Sequence, residues 1–191
     1  ILFEYLALKN IPVVLTLHDC WTFTGHCAYF DSISCDKWKT ECNNCPLIKE
    51  YPKSYVYDNS SYNYNLKKHL FNSISNMHIV TVSNWLSDKV GSSFLKELPR
   101  KVIYNGIDID VFSHTPKLND YPFSRELKDK YIILGVASPW NYRKGLEDFI
   151  KLSKSLHQDE VIVLIGLSQK QIKNLPNNIV GIKKIKEKAL L

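Results

Sequence analysis

The sequence predicts an α/β protein with parallel sheets, and three observations carry that expectation. Apolar runs of strand length, PVVLTL (12–17), MHIVTVS (77–83), YIILGVAS (131–138) and VIVLIG (161–166), alternate with segments whose apolar residues recur at helical spacing. Each run is apolar throughout, as in a parallel strand covered on both faces. The 191 residues are 45% hydrophobic, 23% charged and 12% aromatic with only 7 Gly and 8 Pro, which fits a packed globular protein and excludes disordered, collagenous and low-complexity classes.

Along the chain, Leu2, Phe3, Leu6 and Leu8 lie near one face of a helix that Asn10 and Pro12 end, and PVVLTL follows as a buried strand. From His18 to about Tyr62 no period is sustained, so residues 20–62 are expected to form a long irregular insertion rich in Cys and aromatics. Leu66, Leu70 and Ile74, four residues apart, predict an amphipathic helix over 64–75 ahead of the strand at 77–83. Ser83 or Asn84 caps the next helix, in which Trp85, Leu86, Val90 and Phe94 recur until Pro99 stops it. KVIYNGID (101–108) is a short strand delivering an Asn-Gly turn. A polar stretch with Pro116, Asn119, Asp120 and Pro122 predicts a linker, 113–128. Beyond it come the strand 131–138, a turn holding Arg143, Lys144 and Gly145, a helix over 145–156, the strand 161–166, a short helix near 169–174 and a last strand, NIVGI (178–182). The expected organisation is two Rossmann-like domains, both incomplete: the later part of one in 1–112 and the first part of another in 129–191. No short-period repeat is found.

Charge and hydropathy narrow the partners. Lys plus Arg exceed Asp plus Glu by 25 to 19, a net +6 that suits anionic ligands such as phosphates but falls short of a nucleic-acid surface. The longest apolar runs, such as VIVLIGL (161–167), fall well below the roughly 20 residues that cross a bilayer, and ILFEYLALKN does not read as a secretory signal. The start at Ile1, in mid-pattern and without Met, leads us to expect a piece of a longer protein.

Four groups of residues stand out. His18 follows the first strand, and open α/β sheets bind ligands beyond the carboxyl ends of their strands; it either touches a substrate or caps the loop. Arg143 and Lys144 precede a helix that follows a buried strand, a place for a phosphate or diphosphate if they are more than solvated surface cations. Asn105 and Gly106 end a strand just before the linker, as a hinge or cleft edge or as a plain turn. Cys27, Cys35, Cys42 and Cys45 form C-x7-C-x6-C-x2-C, whose last pair has the spacing of a zinc knuckle; a structural zinc site, disulfides and free thiols are the alternatives. Cys20 reads as an ordinary buried thiol, and Trp21, Phe23, Tyr29, Phe30 and Trp38 read as the core of the loop ahead of a sugar-stacking surface. P-loop, dinucleotide-binding and nucleophile-elbow patterns are missing, as is any convincing pair of catalytic carboxylates.

Taken together, TLHDCWTFTGHC, CDKWKTECNNCP, TVSNWL, VIYNGIDIDVF and GVASPWNYRKGL resemble retaining glycosyltransferases of the GT-B type, in particular bacterial members that build surface polysaccharides from nucleotide-sugar donors. The resemblance covers about Pro12 to Ile185. It implies two Rossmann-like domains facing each other across a cleft, with the donor diphosphate on the second and a glycan or lipid-linked acceptor on the first. It implies that His18 is the catalytic cleft histidine near the transferred sugar, and that Arg143 and Lys144 grip the diphosphate, stabilising leaving-group charge without a metal cofactor. Asn105, Gly106 and Asp108 match the turn at the interdomain crossover, and an architectural role is expected of them. Ser138 stands where many relatives carry a second Arg, and the family's E-x7-E pair would fall beyond residue 191. The resemblance further implies a cytoplasmic protein, at the inner face of the cytoplasmic membrane through peripheral contact, with no nucleic-acid partner. With half the donor pocket outside it, the chain itself is expected to be weakly active or inactive. The rival expectation is a non-catalytic, zinc-stabilised α/β binding module or an inactive remnant.

Overall fold

A computed structural model describes residues 2–110, 112, 127 and 129–184. The chain divides into two compact units, Ile1–Gly106 and Ile107–Leu191. The expected linker, 113–128, lies outside the described residues except for Leu127, as does the end of the chain from 185.

The first unit holds helix α1 (Leu2–Leu8), strand β1 (Val13–Leu17), an irregular segment, helix α2 (Ser60–Asn72), strand β2 (Met77–Thr81), helix α3 (Asn84–Gly91) and strand β3 (Arg100–Val102). The three strands form one parallel sheet in the order β1-β2-β3, with Val13 opposite Met77 and Ile79 opposite Arg100. The second unit repeats the plan with β4 (Tyr131–Val136), α4 (Leu146–Leu152), β5 (Glu160–Leu167), α5 (Gln169–Lys173) and β6 (Ile179–Lys183), again parallel in the order β4-β5-β6. The α/β class with parallel sheets therefore holds in both units.

Local chemistry sets several element ends. Ser83, extended at φ −159°, accepts the Leu86 amide on its side chain and so is the cap of α3. Ser168 and Gln171 form a capping box at the start of α5. Leu17, Met77, Ile79, Leu86, Val90 and Leu95 make the sheet side of the first core, and Ile162, Leu164, Leu167, Ile179 and Trp140 make the second.

Three expectations are corrected. β2 and β5, the central strands, are buried at most of their positions, whereas Val14 of β1 is 69% exposed and Tyr131, Ile132, Leu134 and Val136 of β4 are also exposed. The buried face of α2 is Ser60, Tyr64, Lys67 and Phe71; of the expected row, Leu66 is 39% exposed, and Ile74 is buried in the core but beyond the helix end at Asn72. Residues 103–108 form no turn: Gly106 has no left-handed backbone and open space where a Cβ would stand, and β3 ends at Val102. Among the described residues no helix is long and apolar enough to cross a membrane.

Candidate functional site

The candidate residues fall into two groups, one in each unit. In the first, β1 delivers His18 to its carboxyl end, where the imidazole is exposed to solvent. The next residue, Asp19, turns the chain: its carboxylate accepts the Trp21 amide at 2.8 Å and starts the 3-10 turn Trp21–Phe23. Asp19, Trp21, Ala28, Tyr51 and Pro52 line an open cavity of about 260 Å³. Trp21 and Tyr51 are exposed, so this hollow offers aromatic faces beside a carboxylate, an arrangement suited to a sugar ring. Of the aromatics expected in the loop core, Phe23, Phe30 and Trp38 are buried, whereas Trp21 and Tyr29 face solvent.

The irregular segment has a core of its own. Trp38 stacks on Phe30 with centroids 4.8 Å apart, tilts against Phe23 at 5.4 Å and donates its indole N–H to the Cys35 carbonyl at 2.9 Å. The Tyr64 hydroxyl donates to the Trp38 carbonyl at 3.2 Å, tying the segment to α2; burial pushes its pKa up to about 12. From the same face of α2, the Lys67 amine donates to the carbonyls of Trp21 at 2.7 Å and Thr24 at 3.0 Å and sits 3.3 Å from the Trp21 ring centroid. Only 8% of Lys67 is exposed, and burial lowers its pKa to about 8. Lys67→Ala is expected to lower stability by about 2 kcal/mol in urea unfolding, since the Thr24 carbonyl loses a buried donor, the Trp21 carbonyl loses its shortest one and the Trp21 ring its cation. Leu66→Ala, at the position the spacing marked as core, is expected to cost less than about 1 kcal/mol.

All four loop thiols line one small cavity of about 20 Å³, together with His26, Lys37 and Trp38. The Cys27 thiol hydrogen-bonds to Cys45, which pushes Cys27 up and holds Cys45 down. Burial raises Cys42 despite a hydrogen bond from the Gly25 amide. All five cysteines are free, and among the described residues no group of three or more His, Cys, Asp and Glu side chains stands where it could hold a metal ion. Cys20, outside the cluster, is fully buried, and burial pushes it up to about 12.

In the second unit the basic pair lies in its own 3-10 turn, Tyr142–Lys144, ahead of α4. The Asn141 side chain accepts the Lys144 amide at 3.2 Å, and Gly145, at φ 74°, takes the left-handed conformation that separates this turn from the helix. Both cations are exposed. The first turn of α4 carries Glu147 and Asp148, so its electrostatics differ from the expected meeting of two cations with bare helix amides. What fixes the turn is Trp140, which sequence reasoning missed: its indole donates to the Ile165 carbonyl at 2.8 Å, its ring meets Phe149 edge-on at 5.6 Å, and its carbonyl accepts from Gln171 at 3.0 Å. The signal available was a Trp three residues before a basic pair.

Asn105 and Gly106 are exposed beyond β3, at the end of the first unit. Asp108 is better defined: its carboxylate accepts the Asp110 amide at 3.1 Å and its carbonyl the Phe112 amide at 2.9 Å. His18 belongs to one unit and Arg143 with Lys144 to the other.

No family model matches the chain. It is similar to the putative colanic acid biosynthesis glycosyl transferase WcaC of Escherichia coli strain K12, 32% identical over 135 residues. The aligned region is 70% of this chain and 32% of the relative, so the chain spans about a third of the length of the curated protein it matches.

Proposed function

We propose that the chain is part of a glycosyltransferase of polysaccharide biosynthesis, of the retaining GT-B type, that takes a hexose from a nucleotide-sugar donor. The observation that carries the reading is the 32% identity to a glycosyl transferase across 70% of the chain, which supports a glycosyltransferase family. Two parallel α/β units, each with a candidate at or beyond the carboxyl end of its first described strand, are in keeping with it.

In this reading Arg143 and Lys144 bind the donor diphosphate, the guanidinium as a planar fork and the ammonium as a point charge, and offset the charge that grows on the leaving phosphate. Trp140 is their positioning residue. His18 contacts the transferred sugar, and the hollow walled by Trp21, Tyr51 and Asp19 takes a ring of the glycan or lipid-linked acceptor. Asn105 and Gly106 serve the crossover between the domains. The protein works in the cytoplasm at the inner face of the membrane.

Calorimetric titration of the chain with UDP and with GDP tests the donor half of the reading. Saturable binding of one of them, weakened at least about tenfold by Arg143→Ala with Lys144→Ala, is expected, because about 1.4 kcal/mol of charge-assisted hydrogen bonding is a tenfold change. Binding that survives the double substitution would remove these residues from the donor site, and no binding of either nucleotide would overturn the assignment of a donor half-site to this chain.

A further inference from the structure

We propose that Cys27, Cys35, Cys42 and Cys45 bind one Zn²⁺ ion that staples the segment between β1 and α2. The observation is geometric: thiols spread over a long irregular stretch come to the wall of a single cavity of about 20 Å³, a volume fit for one water-sized occupant. Thiolates are soft ligands, and four of them satisfy the tetrahedral preference of zinc.

The surroundings are those that a zinc-thiolate centre requires. Four thiolates around Zn²⁺ carry a net charge of −2, which a buried site must offset with donors and cations. Lys37 lines the cavity and donates to the carbonyls of Asn43 at 2.8 Å and Asn44 at 3.2 Å, the two residues between Cys42 and Cys45. Asn44 takes the left-handed conformation, φ 42°, that bends a two-residue knuckle. Backbone amides already point at sulfur, Gly25 at Cys42 and Leu47 at Cys45. The Asp58 carboxylate accepts the Cys45 amide at 2.6 Å and the Ser60 amide at 2.8 Å, tying the knuckle to the start of α2.

Two oddities, one on the cavity wall and one on α2, gain a reason. His26 Nε2 is buried on the cavity wall and has no hydrogen-bond partner; beside a thiolate centre its N–H has sulfur to donate to. Lys67 is a buried cation whose amine meets carbonyls and an indole, and Cys42, Asp19 and Cys27 act on it electrostatically; as thiolates the two cysteines add to the counter-charge of Asp19. As placed, the thiols surround the cavity without forming a ligand set, and Cys27 bonds to Cys45. Loading rotates the side chains, replaces that hydrogen bond with metal–sulfur bonds and releases one proton per thiol, with no change in oxidation state.

This inference is independent of the glycosyltransferase reading, which stands or falls on nucleotide binding. The test uses the whole chain, purified with a reductant and without chelator. Elemental analysis is expected to find about one zinc per chain, and a Co²⁺ titration of the stripped chain is expected to give the absorption of a tetrahedral tetrathiolate site. Cys20→Ser is expected to keep both signals. Cys42→Ser with Cys45→Ser is expected to lose both, and zinc removal from the parent is expected to open 20–62 to protease. Loss of mass as disulfides, or four freely alkylated thiols with no cobalt spectrum, would overturn the site, as would metal retained by the double variant. The parent measurements decide even if that variant fails to fold.

Discussion

Gly25→Ala is expected to lower the stability of the first unit by about 3 kcal/mol, at the upper end of the cost of overpacking. A Cβ at this position would stand 2.1 Å from the Ser60 carbonyl oxygen and 2.7 Å from the Cys42 Cβ. The first of these neighbours is backbone at the start of α2, so no rotamer change relieves the clash, and the segment has to move away from the helix. Moving it also breaks the bond from the Gly25 amide to the Cys42 sulfur. Gly106→Ala is the control: nothing lies within 4 Å of its Cβ, and a change within about 0.5 kcal/mol is expected. Urea unfolding followed by circular dichroism distinguishes the two. Equal effects would mean that the approach of Gly25 to Ser60 does not hold in solution.

Trp38→Ala is expected to have the larger effect, about 3 to 5 kcal/mol. The side chain is fully buried, contacts Phe30 and Phe23, and satisfies the Cys35 carbonyl. Removing it leaves a cavity and an unpaired carbonyl in a segment with no strand of its own. Trp38→Phe is expected to recover roughly half of the loss, because a ring remains but the indole donor does not. If Trp38→Ala costs less than about 1 kcal/mol, the segment unfolds apart from the sheet and its aromatic cluster is no part of the cooperative core.

The strands and their parallel arrangement were legible because a β-branched apolar run ended by Pro, Asn or Gly has few alternatives. Ser83 was legible as a cap for the same local reason. The inward face of α2 was not: Leu66, Leu70 and Ile74 match the helical period, yet Lys67 is buried instead of Leu66 because its amine reaches carbonyls on a segment far away in the chain. Asn105 and Gly106 show the opposite error, a turn dipeptide without a turn. Gly25 and Trp140 owe their importance to contacts with Ser60, Cys42, Ile165 and Gln171, none of which a local pattern encodes. Of the candidate site, the four Cys lie around one cavity, a gathering that their spacing alone does not encode. His18 is presented at a strand end as expected, and the acidic first turn of α4 was already written in Glu147 and Asp148.

The pairing of Val13 with Met77 has a kinetic consequence. The ribosome must release the whole Cys-rich segment and α2 before β1 finds its neighbour, whereas Ile162 meets Ile179 after one short helix. Each doubling of a loop raises the closure cost by only about 0.6 kcal/mol, but that cost falls before any sheet contact rewards it. The second unit should therefore refold first in a stopped-flow experiment, and the first unit should be the slow phase. Shortening the segment, or cross-linking its ends, should speed that phase and leave the fast one unchanged.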